Sequence, residues 1–421
     1  MKTVEGWRRI SIGQCVDLIN GFAFPSDHFT DEEGMPLIRI RDLNKQTTEV
    51  NYRGQYDKRY LVKKGDLLIG MDGDFLTVRW KGDDALLNQR VCKLIAKDRD
   101  ALVQDFLFYR IIEEILRIHR VTAATTVKHL SSEDILGIQI DLPSKSEQAT
   151  ISEILSTVDR AIEQAEALIA KQQRIKIGLM QDLLTHGIDE HGNLRSEKIH
   201  KFKDSPLGRI PVEWEVEQLS AVVELKVGYA FKSSWFCEDG IRLLRGENVG
   251  TGIPDWKDVR CLPPEIADKS QEYQLNAGDM IIGMDRTFTK QGFKVSFLGE
   301  EDVPCLLVQR VGCFVPMAIP RGFMELLIQS PTYRRELLLQ QKGMDIPHLS
   351  KGEILSPLVP IPAALDEMNA ISNRIGSLRS TERNSTDCLN KLLSLKTALM
   401  QDLLTGKKRV SALTSDVEAP L

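Results

Sequence analysis

Apolar residues fall at Ile151, Leu155, Val158, Ile162, Ala165 and Ile169, in alternating steps of four and three. That is the spacing of a narrow heptad seam along a helix. From Ser146 to Thr185 there is no proline and, apart from Gly178, no glycine, so the pattern predicts one uninterrupted helix. The seam returns at Ile371, Ile375 and Leu378, then at Leu389, Leu392, Leu399 and Leu403, with polar Glu382 and Ser385 between. A polar pair on a seam weakens a coiled coil but can fix its register. About 40 residues at 1.5 Å each span roughly 60 Å. A helix that long with one apolar stripe needs a partner. Two such helices in one chain can pair antiparallel and hold two modules apart. The alternative is that each packs on its own module, but a narrow seam favours pairing.

Before each helical stretch the pattern changes. Short apolar runs such as DLLIGM, DMIIGM and VCKLIA, split by Gly, Asp and Asn, read as strands. One helix, Asp105 to His119, is mixed in. The order of motifs is then repeated. Trp7 precedes GFAF (Gly21 to Phe24) by 14 residues, and Trp214 precedes GYAF (Gly228 to Phe231) by the same 14. LIRIRDLN at Leu37 answers LLRGENVG at Leu243, and GDLLIGMDGDF at Gly65 answers GDMIIGMDRTF at Gly278. LLNQRV at Leu86 answers LLVQRV at Leu306, and HLS recurs at His129 and His348. LMQDLLT closes both halves, at Leu179 to Thr185 and at Leu399 to Thr405. The offset moves from 207 (Trp7 to Trp214) to 206 (Leu37 to Leu243), 213 (Gly65 to Gly278) and 220 (Leu179 to Leu399). Insertions therefore fall between motifs, as loops on a shared framework do. The predicted fold class is α+β: two similar mixed α/β domains joined by two long antiparallel helices, an intramolecular coiled coil with a pseudo-twofold.

At 421 residues the chain is too long for one ordinary core. Hydrophobic residues at 42% and charged residues at 27% are ordinary for a globular protein. No apolar run approaches the ~20 residues of a membrane span. MKTVEGWRRISIGQ lacks the apolar stretch of a secretory signal. Seven scattered cysteines with no C-x-x-C argue against zinc ribbons and fit reduced thiols, so a cytoplasmic location is expected. The net charge of −5 argues weakly against nucleic acid, although a basic face can coexist with an acidic remainder.

FKDSPLGRIPVEWEV (Phe202 to Val216), the G-[FY]-A-F elements, the G-D-x-[LI]-[LI]-x-M strands and the two LMQDLLT endings resemble, in that order, the specificity subunit of type I restriction-modification systems. The resemblance covers nearly the whole chain. It implies target-recognition domains over 1–145 and 211–363, spacer helices over 146–186 and 364–408, a linker over 187–210 and a tail over 409–421. It also implies a non-catalytic subunit in which each half reads one part of a split double-stranded DNA site. The helices would set the spacing and dock two methyltransferase subunits. Those partners would carry S-adenosylmethionine and methylate adenine N6; motor-nuclease subunits could join for restriction. No cofactor or metal is expected on this chain.

The residues agree with a chain that performs no chemistry. Gly406-Lys407 lacks the loop and the Ser/Thr of a P-loop, and no H-E-x-x-H occurs. LPPE at Leu262 lacks the aromatic that would stack on a flipped adenine. Pro254-Asp255 is followed by no suitably placed D/E-x-K. The rival classes are a stand-alone DNA-modifying or DNA-cleaving enzyme, which lacks a catalytic cluster, and a tandem-module scaffold that binds no DNA.

Base edges are read by Arg, Asn and Gln, and phosphates are held by Lys, Arg, Ser and Thr. The first-half candidates are Ser26, His28, Arg39, Arg41, Asn44, Asp74, Arg79, Lys81 and Lys128. The second-half candidates are Lys232, Ser233, Ser234, Arg245, Asn248, Arg286, Thr287, Lys290, Lys294 and His348. Gln89-Arg90 and Gln309-Arg310 recur unchanged, so they are read as framework or phosphate contacts rather than base readers; the same holds for Arg39, Arg245, His129 and His348. Divergent positions suit specificity better: Gly73-Asp74 against Arg286-Thr287, and Arg41-Asp42 against Glu247-Asn248. Phe24, Phe231, Trp7 and Trp214 are expected in cores. Leu179, Met180, Leu183 and Leu184, with Leu399, Met400, Leu403 and Leu404, cover more than one helical face. That second face either buries in the other half of the chain or docks a methyltransferase subunit.

Overall fold

The computed structural model describes residues 4–121, 128–290, 292–341 and 348–410. Most of the tail expected over 409–421, from 411 on, therefore lies outside the described residues. Two compact units form. The first joins Met1–Glu166 to Asp387–Leu421, and the second is Ala167–Thr386. Among the described residues no helix is long and apolar enough to cross a membrane.

Each unit repeats one design. In the first, a four-stranded antiparallel sheet runs in the order Val16–Asn20, Val91–Ala96, Leu67–Gly70, Thr77–Arg79. In the second, the order Val223–Val227, Val311–Pro316, Met280–Gly283, Val295–Phe297 is the same. A second sheet accompanies each, and each has one parallel pair: Met35–Ile38 with Ala85–Leu87, and Ile241–Leu244 with Cys305–Leu307. The LLIG and MIIG strands are buried on both faces, which is why they read as continuous apolar runs. Leu67 and Ile69 join a core with Trp7 and Phe106, while Leu68 between them joins another with Ile38 and Trp80. Met280 and Ile282 part from Ile281 in the same way. Side-chain alternation along one strand thus ties two cores together.

The helix expected at Asp105 runs over Gln104–Val121. In the second unit its counterpart is broken into Arg321–Gln329 and Pro331–Gln341, because Pro331 cannot continue a helix.

Two long helices, Lys145–His186 and Leu365–Leu404, belong partly to each unit. Within the first unit Asp159 pairs with Lys396 at 2.7 Å and Glu147 with Arg409 at 2.7 Å, an antiparallel register. Within the second, Glu382 pairs with Lys176, and Glu367 accepts from the backbone N–H of Ile188 at 3.0 Å, which is antiparallel again. The polar seam position Glu382 is thus met by a lysine.

The helix ends enter globular cores. Ile151 and Leu155 pack in the first module, and Ile371 and Ile375 in the second. Met180, Leu183 and Leu184, from the helix that leaves the first module, lie in the second core with Ile210 and Trp214. Leu403 and Leu404, from the helix that leaves the second, lie in the first core with Trp7 and Ile12. Leu179, Leu399 and Met400 pack partly buried against the same cores. Of the two uses left open for LMQDLLT, these side chains take burial, at about 1.5–3 kcal/mol for each fully buried leucine. A matching polar clasp sits beside each. Trp7 Nε1 donates to buried Glu147 at 3.1 Å, which also accepts from Arg409. Trp214 Nε1 donates to Glu367 at 3.2 Å, which also accepts from Arg195.

Candidate nucleic-acid interface

Both G-[FY]-A-F elements run against the strand turn that carries Gln-Arg, and glycine makes the approach possible. A Cβ on Gly21 would lie 1.9 Å from the Asn88 carbonyl oxygen, and one on Gly228 would lie 2.3 Å from that of Val308. The backbone lattice is common to both. Gln89 N–H donates to Phe22 O at 2.9 Å, and Gln309 N–H to Tyr229 O at 2.9 Å. Met71 and Met284 N–H donate to Arg90 and Arg310 O, both at 2.9 Å.

On this lattice stand two copies of one side-chain cluster. His129 Nδ1 lies 2.7 Å from Asp72 Oδ1, and Arg90 Nε lies 3.5 Å from Asp72 Oδ2. His348 Nδ1 lies 2.7 Å from Asp285 Oδ1, and Arg310 Nη1 lies 2.9 Å from Asp285 Oδ2. A carboxylate can only accept, so each Nδ1 carries the proton and Nε2 is left for another contact. Around Asp285, desolvation opposes ionisation, but hydrogen bonds from Arg310 and His348 outweigh it and hold the carboxyl below its usual value. The arginines remain open to solvent, with side chains 58% and 63% exposed. Both also stand in left-handed backbone, φ 68° and 61°. That conformation costs a side-chain-bearing residue about 1–2 kcal/mol, and an exposed ion pair returns at most about 1 kcal/mol. In the first unit the cluster faces an open cleft of about 460 Å³, lined by Asn20, Gly21, Ala23, Gln89, Arg90 and His129 among others. At its edge Phe22 is 45% exposed; its counterpart Tyr229 is 44% exposed. Phe24 and Phe231 behind them are buried, as are Trp7 and Trp214.

The other nominated residues separate by environment. Ser26 and His28 sit exposed on the short turn Ser26–His28, and Ser233 and Ser234 on the matching turn Ser233–Trp235, with exposed Lys232 stacked 5.4 Å over Trp235. Arg41, Asn44, Asp74, Arg286 and Lys290 are also exposed. Arg39 and Arg245 are held inside their turns, by Asp42 and Glu49 and by Glu247 and Asp258 respectively.

Several nominations meet a different fate. Asn248 is buried; it accepts from the Arg245 N–H and donates to the carbonyls of Asp255 and Asp258, so it staples a turn. Asp42 does the same for Arg39 N–H, at 2.9 Å. Thr287 is buried and donates to Gly283 O. Lys294 is half-buried against Gly246 O, and burial pushes its ammonium below the usual lysine range. Arg79 lies 4.1 Å over Phe108 and pairs with Asp105, Lys81 pairs with Glu163, and Lys128 donates to His119 O. These three face helices of their own unit. The exposed Phe22 and Tyr229, and the orienting Asp72 and Asp285, were not nominated, although all four lie inside the repeated motifs.

One local difference separates the modules. Strand Thr77–Arg79 begins two residues after Phe75, whereas Val295–Phe297 begins seven after the matching Phe288. In this longer stretch Phe288–Thr289 pairs antiparallel with Gly292–Phe293, the two phenyl rings stacked at 5.0 Å.

The family model for the type I restriction modification DNA specificity domain matches residues 4–171. The chain is 31% identical over 417 residues to the type I restriction enzyme MjaVIII specificity subunit of Methanocaldococcus jannaschii, covering 98% of this chain and 95% of the relative. It is 26% identical over 447 residues to the EcoBI specificity subunit of Escherichia coli, covering 99% and 92%. Its fold is similar to the crystal structure of a type I restriction-modification S subunit from M. genitalium, with a TM-score of 0.61 and 17% identity over 96% of this chain and 98% of that one.

Proposed function

The chain belongs to the specificity subunits of type I restriction-modification systems, and from that premise we propose that its two modules read the two separate parts of one asymmetric bipartite DNA site. The observation that carries this reading is a frame built twice with different exposed surfaces. The sheets, Gln-Arg turns and His–Asp pairs coincide, while exposed Gly73 stands where the second module has exposed Arg286 and, beyond it, an extra hairpin. If both surfaces read the same bases, that divergence would have no use.

In this reading the chain supplies recognition and no chemistry. Two methyltransferase subunits dock on the long helices, bring S-adenosylmethionine and methylate adenine N6, and motor-nuclease subunits add restriction. Exposed apolar side chains on those helices, Leu168, Ile175 and Ile177 in one unit and Leu393 and Leu395 in the other, support a protein partner there. The test is expression with its methyltransferase partner in a host free of such methylation, followed by single-molecule sequencing of the genome. One split sequence should become methylated, and only when this chain is present. Methylation that persists without the chain would contradict the reading, as would DNA cleavage or methylation by the isolated chain.

A further inference from the structure

The paired clusters Phe22–Gln89–Arg90–Asp72–His129 and Tyr229–Gln309–Arg310–Asp285–His348 place the same solvent-open chemistry on both modules. We infer that each is a backbone clamp: the Arg grips one phosphodiester of the DNA, the His–Asp pair steadies that Arg, and the exposed aromatic rests against the neighbouring sugar or base face. The inference rests on the DNA-reading function proposed above and adds a sequence-independent part to it.

Three observations point to this ligand. Each cluster offers donors. Asp72 and Asp285 orient the arginine and the imidazole from behind, through contacts of 2.7 Å to the histidine and 3.5 Å or 2.9 Å to the arginine. A guanidinium carries five N–H groups, so one carboxylate leaves several for a phosphate, whose oxygens only accept. Each cluster also keeps arginine where the backbone favours glycine, at φ 68° and 61°, and the exposed ion pair it gains is too weak to explain the choice. Finally, the clusters are alike while the surfaces beside them differ. Two modules that read different bases still meet the same sugar–phosphate chain, so a phosphate contact can be copied where a base contact cannot. A docked protein subunit would also see two like surfaces. The exposed leucines and isoleucines of the long helices suit that partner, whereas solvent-open guanidiniums held by a carboxylate suit an anion.

The experiment uses the full chain assembled with its methyltransferase subunits, as wild type and with Arg90→Gly, Arg310→Gly and both. Glycine removes the guanidinium at a backbone conformation it prefers, so the fold is retained. Binding is measured across a salt series on a duplex carrying the methylated sequence and on an unrelated duplex. Each substitution should weaken binding about tenfold on both duplexes alike. Each should also make the slope of log affinity against log salt shallower by about 0.9, and the double variant by about twice that. Unchanged slopes beside a salt-dependent wild type would overturn the clamp alone. So would a loss confined to the target duplex, which would mark a base reader, or a loss of methyltransferase subunits from the complex, which would mark a protein interface. A wild-type complex whose binding ignores salt would overturn the clamp together with the DNA-reading function.

Discussion

At the bend after strand Met35–Ile38 in one module and Ile241–Leu244 in the other, a short buried polar side chain holds an arginine's backbone N–H: Asp42 under Arg39, and Asn248 under Arg245. A few residues beyond the LLIG and MIIG strands the same modules part company. One turns directly into Thr77–Arg79, and the other extends a hairpin and exposes Arg286 and Lys290. The contrast teaches that likeness between the halves marks what builds the frame or meets a partner common to both. Difference, where it is also exposed, marks the candidates for reading. Burial is the second half of that rule, because Thr287 and Asn248 differ between the halves yet are interior.

The largest expected effect breaks the comparison across the helices. Leu183→Ala removes a fully buried side chain from the second module's core, and Leu403→Ala one from the first. Each should cost about 3 kcal/mol. Hydrogen exchange should show the opening in the module the helix reaches, not the one it leaves: faster exchange over 211–363 for Leu183→Ala, and over 16–142 for Leu403→Ala. Next in size is the clasp. Glu367→Gln leaves Arg195 without a charged partner at a site where both side chains are 11–14% exposed, and should cost about 2–3 kcal/mol. Glu147→Gln should cost less, about 1–2 kcal/mol, because Arg409 is 35% exposed and water can replace the carboxylate. Equal losses in thermal or denaturant unfolding would show that the two clasps are not distinguished by burial.

These cases also show what could be read from the residues alone. The seam from Ile151 to Ile169 and the doubled motif order made the two long helices and the duplicated modules legible, because periodicity and repetition are properties of the chain itself. LMQDLLT was legible as a helix with too many apolar faces for one seam. Which core would bury those faces was not legible, since identical heptapeptides carry no address. Asn248 shows the opposite failure. An asparagine in a repeated motif suggests a contact to an adenine edge, but LIRIRDLN and LLRGENVG also place it opposite Asp42, and two short side chains with a backbone-facing oxygen at one register mark a turn. In G-[FY]-A-F the second aromatic, Phe24 or Phe231, was legible as core, but nothing in the spacing showed that the first, Phe22 or Tyr229, faces out.

Smaller effects sharpen the distinction between frame and reader. Asn248→Ala should lower stability by about 1–2 kcal/mol and leave the methylated sequence unchanged; a changed sequence would make it a reader after all. Arg286→Ala should leave stability within about 0.5 kcal/mol, while methylation mapping shows relaxed choice in one half of the split site. Relaxation in both halves, or in neither, would remove Arg286 from the reading surface.

The most direct test of a shared frame with separate readers is an exchange of residues 16–142 for the matching segment of another specificity subunit. Trp7, both long helices and the second module stay in place. Methylation mapped by single-molecule sequencing should then show one half of the split sequence replaced, with the other half and the spacing between them unchanged. A change in both halves, or in neither, would contradict the account.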